Sequence, residues 1–136
     1  MKKPKISGRE LDIMNILWES KEPLIASEIA AADEQLSIST VQVVLKRLLE
    51  KEYIRIADIV HSGKVLSREY EAVKKPQDFL TDELGDIMRR YKTFSIFRMD
   101  VMAALVKEEE NDSQLLKELE ALIEKRKAEL GIKEET

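Results

Sequence analysis

The 136-residue chain has no cysteine and a single histidine, His61. Without thiols it forms neither a disulfide framework nor a thiolate metal site, and one imidazole cannot build a His-rich zinc centre. It has no Gly-rich phosphate loop and no pair of carboxylates converging on an apolar face, so no catalytic constellation, cofactor or metal site is expected. The longest unbroken apolar run, Val101 to Val106, is too short to span a membrane. Met1 to Lys5 is basic, but polar and charged residues follow Ile6 where a signal peptide would continue with an apolar run. A cytoplasmic protein with no membrane partner is therefore expected.

What is present fits a helix-rich globular chain, with 43% hydrophobic and 37% charged residues. The net charge of −4 is unevenly spread. Residues 1–75 carry 13 Lys and Arg against 12 Asp and Glu, whereas residues 76–136 carry 10 against 15. Overall acidity does not exclude nucleic acid as a partner, because binding depends on the local potential of the contacting face.

The stretch Ser37 to Tyr53 organises the first half. Ser37 stands as an N-cap, and Val41, Val44, Leu45, Leu48 and Leu49 recur at the spacing of one helix face. The opposite face collects Ser39, Gln42, Val43, Lys46, Arg47 and Glu50. A Gln amide matches the N7 and N6 edge of adenine, and an outward valine can touch a thymine methyl. Lys46 and Arg47 suit phosphates, as do Ser39 or Thr40 beside the free N–H groups of the first turn. The same residues also fit the solvated face of an ordinary helical bundle.

Upstream, Ser7-Gly8-Arg9-Glu10 reads as a capping box opening a helix over about Gly8 to Glu19, with Leu11, Ile13, Met14, Leu17 and Trp18 on one broad face. Trp18 reads as core filler at the helix end. A short helix over about Ala26 to Ala32, with Ile29 and Ala30 inward, lacks a strong cap. The order helix, short helix, tight connection and helix is that of a helix-turn-helix. Downstream, Tyr53 to Val60 and Val65 to Tyr70 read as strands flanking His61-Ser62-Gly63-Lys64, a hairpin or wing whose tip presents Ser62 and Lys64, with His61 and Arg68 nearby.

Lys74-Lys75-Pro76 breaks the pattern and divides a winged-helix domain, residues 1–75, from a helical domain, residues 76–136. Three helices are expected in the second part. The first, about Gln77 to Tyr91, carries Leu80, Leu84, Ile87, Met88 and Tyr91. The next, about Ser95 to Val106, carries Ile96, Phe97, Met99, Met102, Leu105 and Val106, enough to be buried on two sides. Lys107 to Asp112 forms an acidic link. The last, about Ser113 to Leu130, carries Leu115, Leu116, Leu119, Leu122, Ile123 and Leu130, with Gly131 as its C′ residue. A segment of this size buries only about 60% of its unfolded surface. A homodimer formed through this half is expected, with Met and Phe side chains as core instead of an effector pocket.

The pattern Ser7-x-x-Glu10-Leu11-x-x-Met14-x-x-Leu17-Trp18, then Glu28-Ile29, Ser39-Thr40-Val41, Lys46-Arg47-Leu48-x-x-Lys51 and Tyr53-Ile54, resembles the penicillinase-repressor family of β-lactamase, methicillin-resistance and copper-responsive repressors. The resemblance covers nearly the whole chain and is strongest through residue 60. It implies a winged-helix repressor that binds an inverted-repeat operator as a homodimer held by its C-terminal helices. By position, Thr40 matches a family threonine that meets DNA, and Arg47 matches a recurrent arginine. Ser39 and Gln42 stand where relatives often have basic or polar residues, and Leu66 and Arg68 where aromatics are usual. The cysteine-rich metal motif of the copper-responsive members is absent. So is the Asn-Phe cleavage bond of the β-lactamase-type repressors, which aligns near Ala104-Leu105.

The reading from sequence is thus a mainly α chain with a small β-hairpin, a non-enzymatic repressor of double-stranded DNA. The rival is a winged helix kept as a protein-interaction module, which the acidity and the departures on the reading face favour.

Overall fold

In the computed structural model, residues 6–108 and 113–132 are described. The basic Met1 to Lys5 stretch and positions 109–112 of the acidic link lie outside them. The chain divides into two compact units, Met1–Gly85 and Asp86–Thr136.

In the first unit, α1 runs over Gly8–Glu19, and Ser7 caps it by accepting from the Glu10 N–H at 3.3 Å. Ile13, Met14 and Leu17 are buried, but Leu11 is exposed and Glu10 takes the inward place expected of it. The inward face is therefore 10, 13, 14 and 17, and Leu11 sits one residue off it. A two-residue strand, β1 (Leu24–Ile25), follows and was not foreseen, being too short to show alternation. Helix α2 (Ala26–Ala32) turns Ile29 fully inward. Its start is held by half a capping box: Glu28 Oε1 accepts from the Ile25 N–H at 3.0 Å, while the Ile25 side chain has no oxygen to return a bond.

Helix α3 (Ile38–Glu50) is capped by Ser37, which accepts from the Thr40 N–H at 3.2 Å. Val41, Val44, Leu45 and Leu48 are buried and Leu49 is half-buried, as the spacing requires. Each such side chain removed from water is worth roughly 1.5–3 kcal/mol, so this stripe anchors the unit. The helix ends in a Schellman arrangement, with the Tyr53 N–H bonded to the Leu48 carbonyl at 3.0 Å and Glu52 left-handed at φ +63°.

The wing is β2 (Ile54–Ser62) and β3 (Val65–Ala72), joined by Gly63-Lys64 alone. Gly63 has φ +66° and Lys64 does not share its positive φ, which matches a II′ turn. The sheet has three antiparallel strands in the order β1-β3-β2, with Leu24 opposite Tyr70 and Ile54 opposite Ala72. Between the pairs Ile56/Tyr70 and Asp58/Glu69 the register shifts, leaving Ala57 as an extra residue in β2. This bulge ends the simple alternation expected from Ile54-Arg55-Ile56.

Helix α4 spans Pro76–Arg90, with proline at its first position, where a missing N–H costs nothing. The first unit continues along it to Gly85. Phe79 is buried against Trp18 and Tyr53 with ring centroids at 5.5 and 4.7 Å. Trp18 is more than filler: its Nε1–H donates to the Lys74 carbonyl at 2.8 Å.

The second unit holds the end of α4 with α5 (Phe94–Glu108) and α6 (Ser113–Leu130). Gly131, at φ +69°, occupies the C′ position, and the Ile132 N–H closes the end on the Lys127 carbonyl at 2.9 Å. Helix α5 was expected to be buried on two sides. Within one chain none of its described side chains is buried: its apolar residues are spread around the whole helix, so no one face gathers them for packing.

Candidate nucleic-acid interface

Helix α3 is two-faced. While Val41, Val44, Leu45 and Leu48 close the core, Ser39, Gln42, Val43, Lys46, Arg47 and Glu50 are all exposed, and Val43 keeps 53% of its surface in solvent. Thr40 is half-buried at the first turn. There the Ser37 hydroxyl donates to Thr40 Oγ1 at 2.9 Å and lies 3.2 Å from Ser39 Oγ. The predicted reading residues thus share one surface, with a hydroxyl cluster where the helix dipole favours an anion.

That surface borders an open groove of about 780 Å³ that the sequence did not reveal, lined by Ser7, Gly8, Arg9, Asp12 and Gln35 together with Ser39, Thr40, Val43 and Arg47. Arg9 and Arg47 are its cations and Asp12 its one acid, with Arg9 and Asp12 3.9 Å apart. Arg9 follows a capping serine and looks like any surface arginine in the sequence. Only the packing of α1 beside α3 brings it next to the outward face of α3.

On the wing, Ser62 and Lys64 are exposed on either side of Gly63, and His61 and Arg68 are exposed on the strands behind it. Leu66, Val65 and Ile59 leave an apolar wing surface in solvent.

The end of α3 is tied to α1 by a partly buried ion pair. Lys51 Nζ lies 2.6 Å from Glu10 Oε2, and Glu10 is 3% exposed. Burial alone would raise the Glu10 pKa. The hydrogen bonds from Lys51 and Ser7, with the Lys51 charge, outweigh it and hold the carboxyl below its ordinary value.

Residues 6–125, reaching across both compact units, match a family described as penicillinase repressor. The chain belongs to that family. The family's description is that of a repressor, which supports a role in transcriptional regulation. This penicillinase-repressor family member is also similar to several solved structures. PerR from Streptococcus pyogenes, described for peroxide sensing and gene regulation, shares 19% identity over 50% of this chain and 47% of that one, with a TM-score of 0.39. This chain thus matches about half the length of PerR. A PadR-like transcription factor from Bacteroides fragilis shares 22% identity over 65% of this chain and 88% of that one, at a TM-score of 0.46. A possible transcriptional regulator from Methanosarcina mazei shares 20% identity over 78% and 81%, also at 0.46. Comparison with curated proteins found no match.

Among the described residues of this family member, no helix is long and apolar enough to cross a membrane, and no three His, Asp or Glu side chains gather as a metal site. The apolar residues expected at a dimer contact fall into two groups. Leu80, Ile87, Tyr91, Met102, Leu105, Leu116, Leu122 and Ile123 are exposed, while Phe97 and Leu119 are half-buried. Phe97 stacks edge-on against Phe94 at 6.0 Å.

Proposed function

We propose that this penicillinase-repressor family member is a DNA-binding repressor acting as a homodimer on an inverted-repeat operator. The observation that carries the reading is the outward face of α3, where Gln42 and Val43 stand clear of the core beside Lys46 and Arg47. In this reading α3 enters the major groove, with Gln42 addressing adenine and Val43 a thymine methyl. Lys46, Arg47, Ser39 and Thr40 hold flanking phosphates, and Ser62 and Lys64 on the wing follow the backbone. Repression is steric: two α3 helices occupy successive major grooves and block access to the promoter.

Residues 76–136 serve as the dimerisation domain. None of the described residues from Asp86 to Ile132 is buried within one chain, although Ile96, Met99, Met102, Leu105, Leu122 and Ile123 lie there. An apolar surface of that extent marks an association site, and a second copy offers a matching one.

The deciding experiment is selection of bound sequences from a random duplex pool, with the mass of the complex measured in solution. An enriched inverted repeat carrying two chains per duplex is the expected result. A folded dimer that enriches no sequence even at low salt sinks the repressor reading and favours a protein-interaction module.

A further inference from the structure

Lys74 lies between β3 and the proline that opens α4, where the sequence reads as a connector. A lysine in a connector normally keeps its ammonium in water. Here the side chain is only 15% exposed. Its Nζ lies 2.6 Å from Asp82 Oδ2, 4.8 Å from the Phe79 ring centroid and 5.4 Å from that of Tyr53. Its backbone is held as well, the carbonyl accepting from Trp18 Nε1 and the N–H donating to the Tyr53 carbonyl at 3.3 Å. One residue therefore joins the end of α1, the residue just before β2 and the first two turns of α4.

This junction ties three elements through one desolvated ammonium. Apolar packing alone lets a helix slide or roll by small steps, whereas such a step here would draw the cation away from its carboxylate and both rings at once. Phe79 and Asp82 are three residues apart on α4, so both lie on the side of the helix that meets Lys74.

We propose that Lys74 is a positioning residue: with Asp82, Tyr53 and Phe79 it locks the direction in which α4 leaves the winged helix, and so sets the operator half-site spacing that the dimer accepts. The inference rests on the dimeric DNA-binding reading above. In a dimer joined through residues 76–136, rotation at the start of α4 would be passed on to the recognition helix, and two recognition helices must stand a whole number of DNA turns apart.

The test uses the full chain with Lys74→Met, Asp82→Asn and Lys74→Arg, on duplexes carrying one selected half-site or two at varied spacing. The wild type is expected to lose about tenfold or more in affinity when the spacing changes by about two base pairs, as linked sites do when geometry forbids joint binding. Lys74→Met and Asp82→Asn are expected to lower that penalty to roughly threefold while leaving single half-site affinity within about twofold, and Lys74→Arg to restore it. Because the chain has no cysteine, Glu50→Cys with Glu83→Cys, both exposed and both in the first compact unit, gives a defined spin-label pair, diluted into unlabelled protein so that only distances within one chain are read. Its distance distribution is expected to be narrow in the wild type and broadened by Lys74→Met. Unchanged spacing discrimination in both variants overturns the proposal, whatever the label widths. Equal weakening on one and two half-sites also overturns it, placing the cluster in the fold of the winged helix alone. A wild type that enriches no duplex strikes the repressor reading itself, an outcome separate from an enriched repeat with indifferent variants.

Discussion

Glu52 closes α3 in the left-handed region at φ +63°, a conformation that favours glycine and costs other residues about 1 kcal/mol or more. Glu52→Gly is expected to raise unfolding stability by roughly 0.5–1 kcal/mol, read as an upward shift of the denaturant midpoint at unchanged slope. Glu10 works in the opposite sense. Glu10→Gln removes the negative charge that faces Lys51 Nζ at 2.6 Å and should cost about 1.5–3 kcal/mol at neutral pH, the value of a hydrogen bond to a charged group. Because the folded carboxyl titrates below its ordinary value, its stabilisation is complete above the unfolded value of about 4.3 and is lost as pH falls through the folded one. The stability gap between wild type and Glu10→Gln should therefore close in acid; a gap independent of pH would remove the ion pair as its source. Sequence periodicity did not show this role, since a carboxylate next to a capping serine reads as part of the cap. Its partner lies 41 positions away.

At the scale of elements, α1 and α6 begin and end, and α3 begins, where capping and periodicity place them, because Ser7, Ser37 and Gly131 act on their own neighbours. The bulge at Ala57, strand β1 and the burial of Phe79 were not legible in that way. Each depends on a partner far along the chain: Tyr70 and Glu69 for the bulge and β1, Trp18 and Tyr53 for Phe79. For α3 the two halves of the outward face should separate experimentally. Lys46→Ala and Arg47→Ala are expected to weaken binding to all duplexes and lower the salt slope by about 0.9 for each phosphate no longer neutralised. Gln42→Ala should instead change preference at particular base pairs, read by competition among single-base variants of the operator. A Gln42→Ala protein with unchanged affinity and preference would remove the base-reading role.

For the whole molecule, the question is what covers the apolar side chains of α5 and α6. Leu122 is 61% exposed in the single chain. If a second copy covers it, Leu122→Glu places a charge in that interface, and sedimentation should report a monomer whose winged helix stays folded. Affinity for a two-half-site operator should then fall by about a hundredfold, because the second half-site loses its tethered partner. A Leu122→Glu protein that remains dimeric would move the interface to another face.

The sequence by itself determined the elements that rest on local chemistry: the caps, the apolar stripe of α3, the Gly63 turn and the residues on the outward face of that helix. Those depend on spacing along one helix or on the conformational freedom of one residue, which the chain carries wherever it goes. Tertiary structure decided what required distant residues to meet. It turned Glu10 inward to Lys51, brought Arg9 to the groove beside α3, added β1 to the wing and made Lys74 a junction instead of a linker. Charges and aromatic rings gain their meaning from what they face, and in this chain their partners are set by packing between elements.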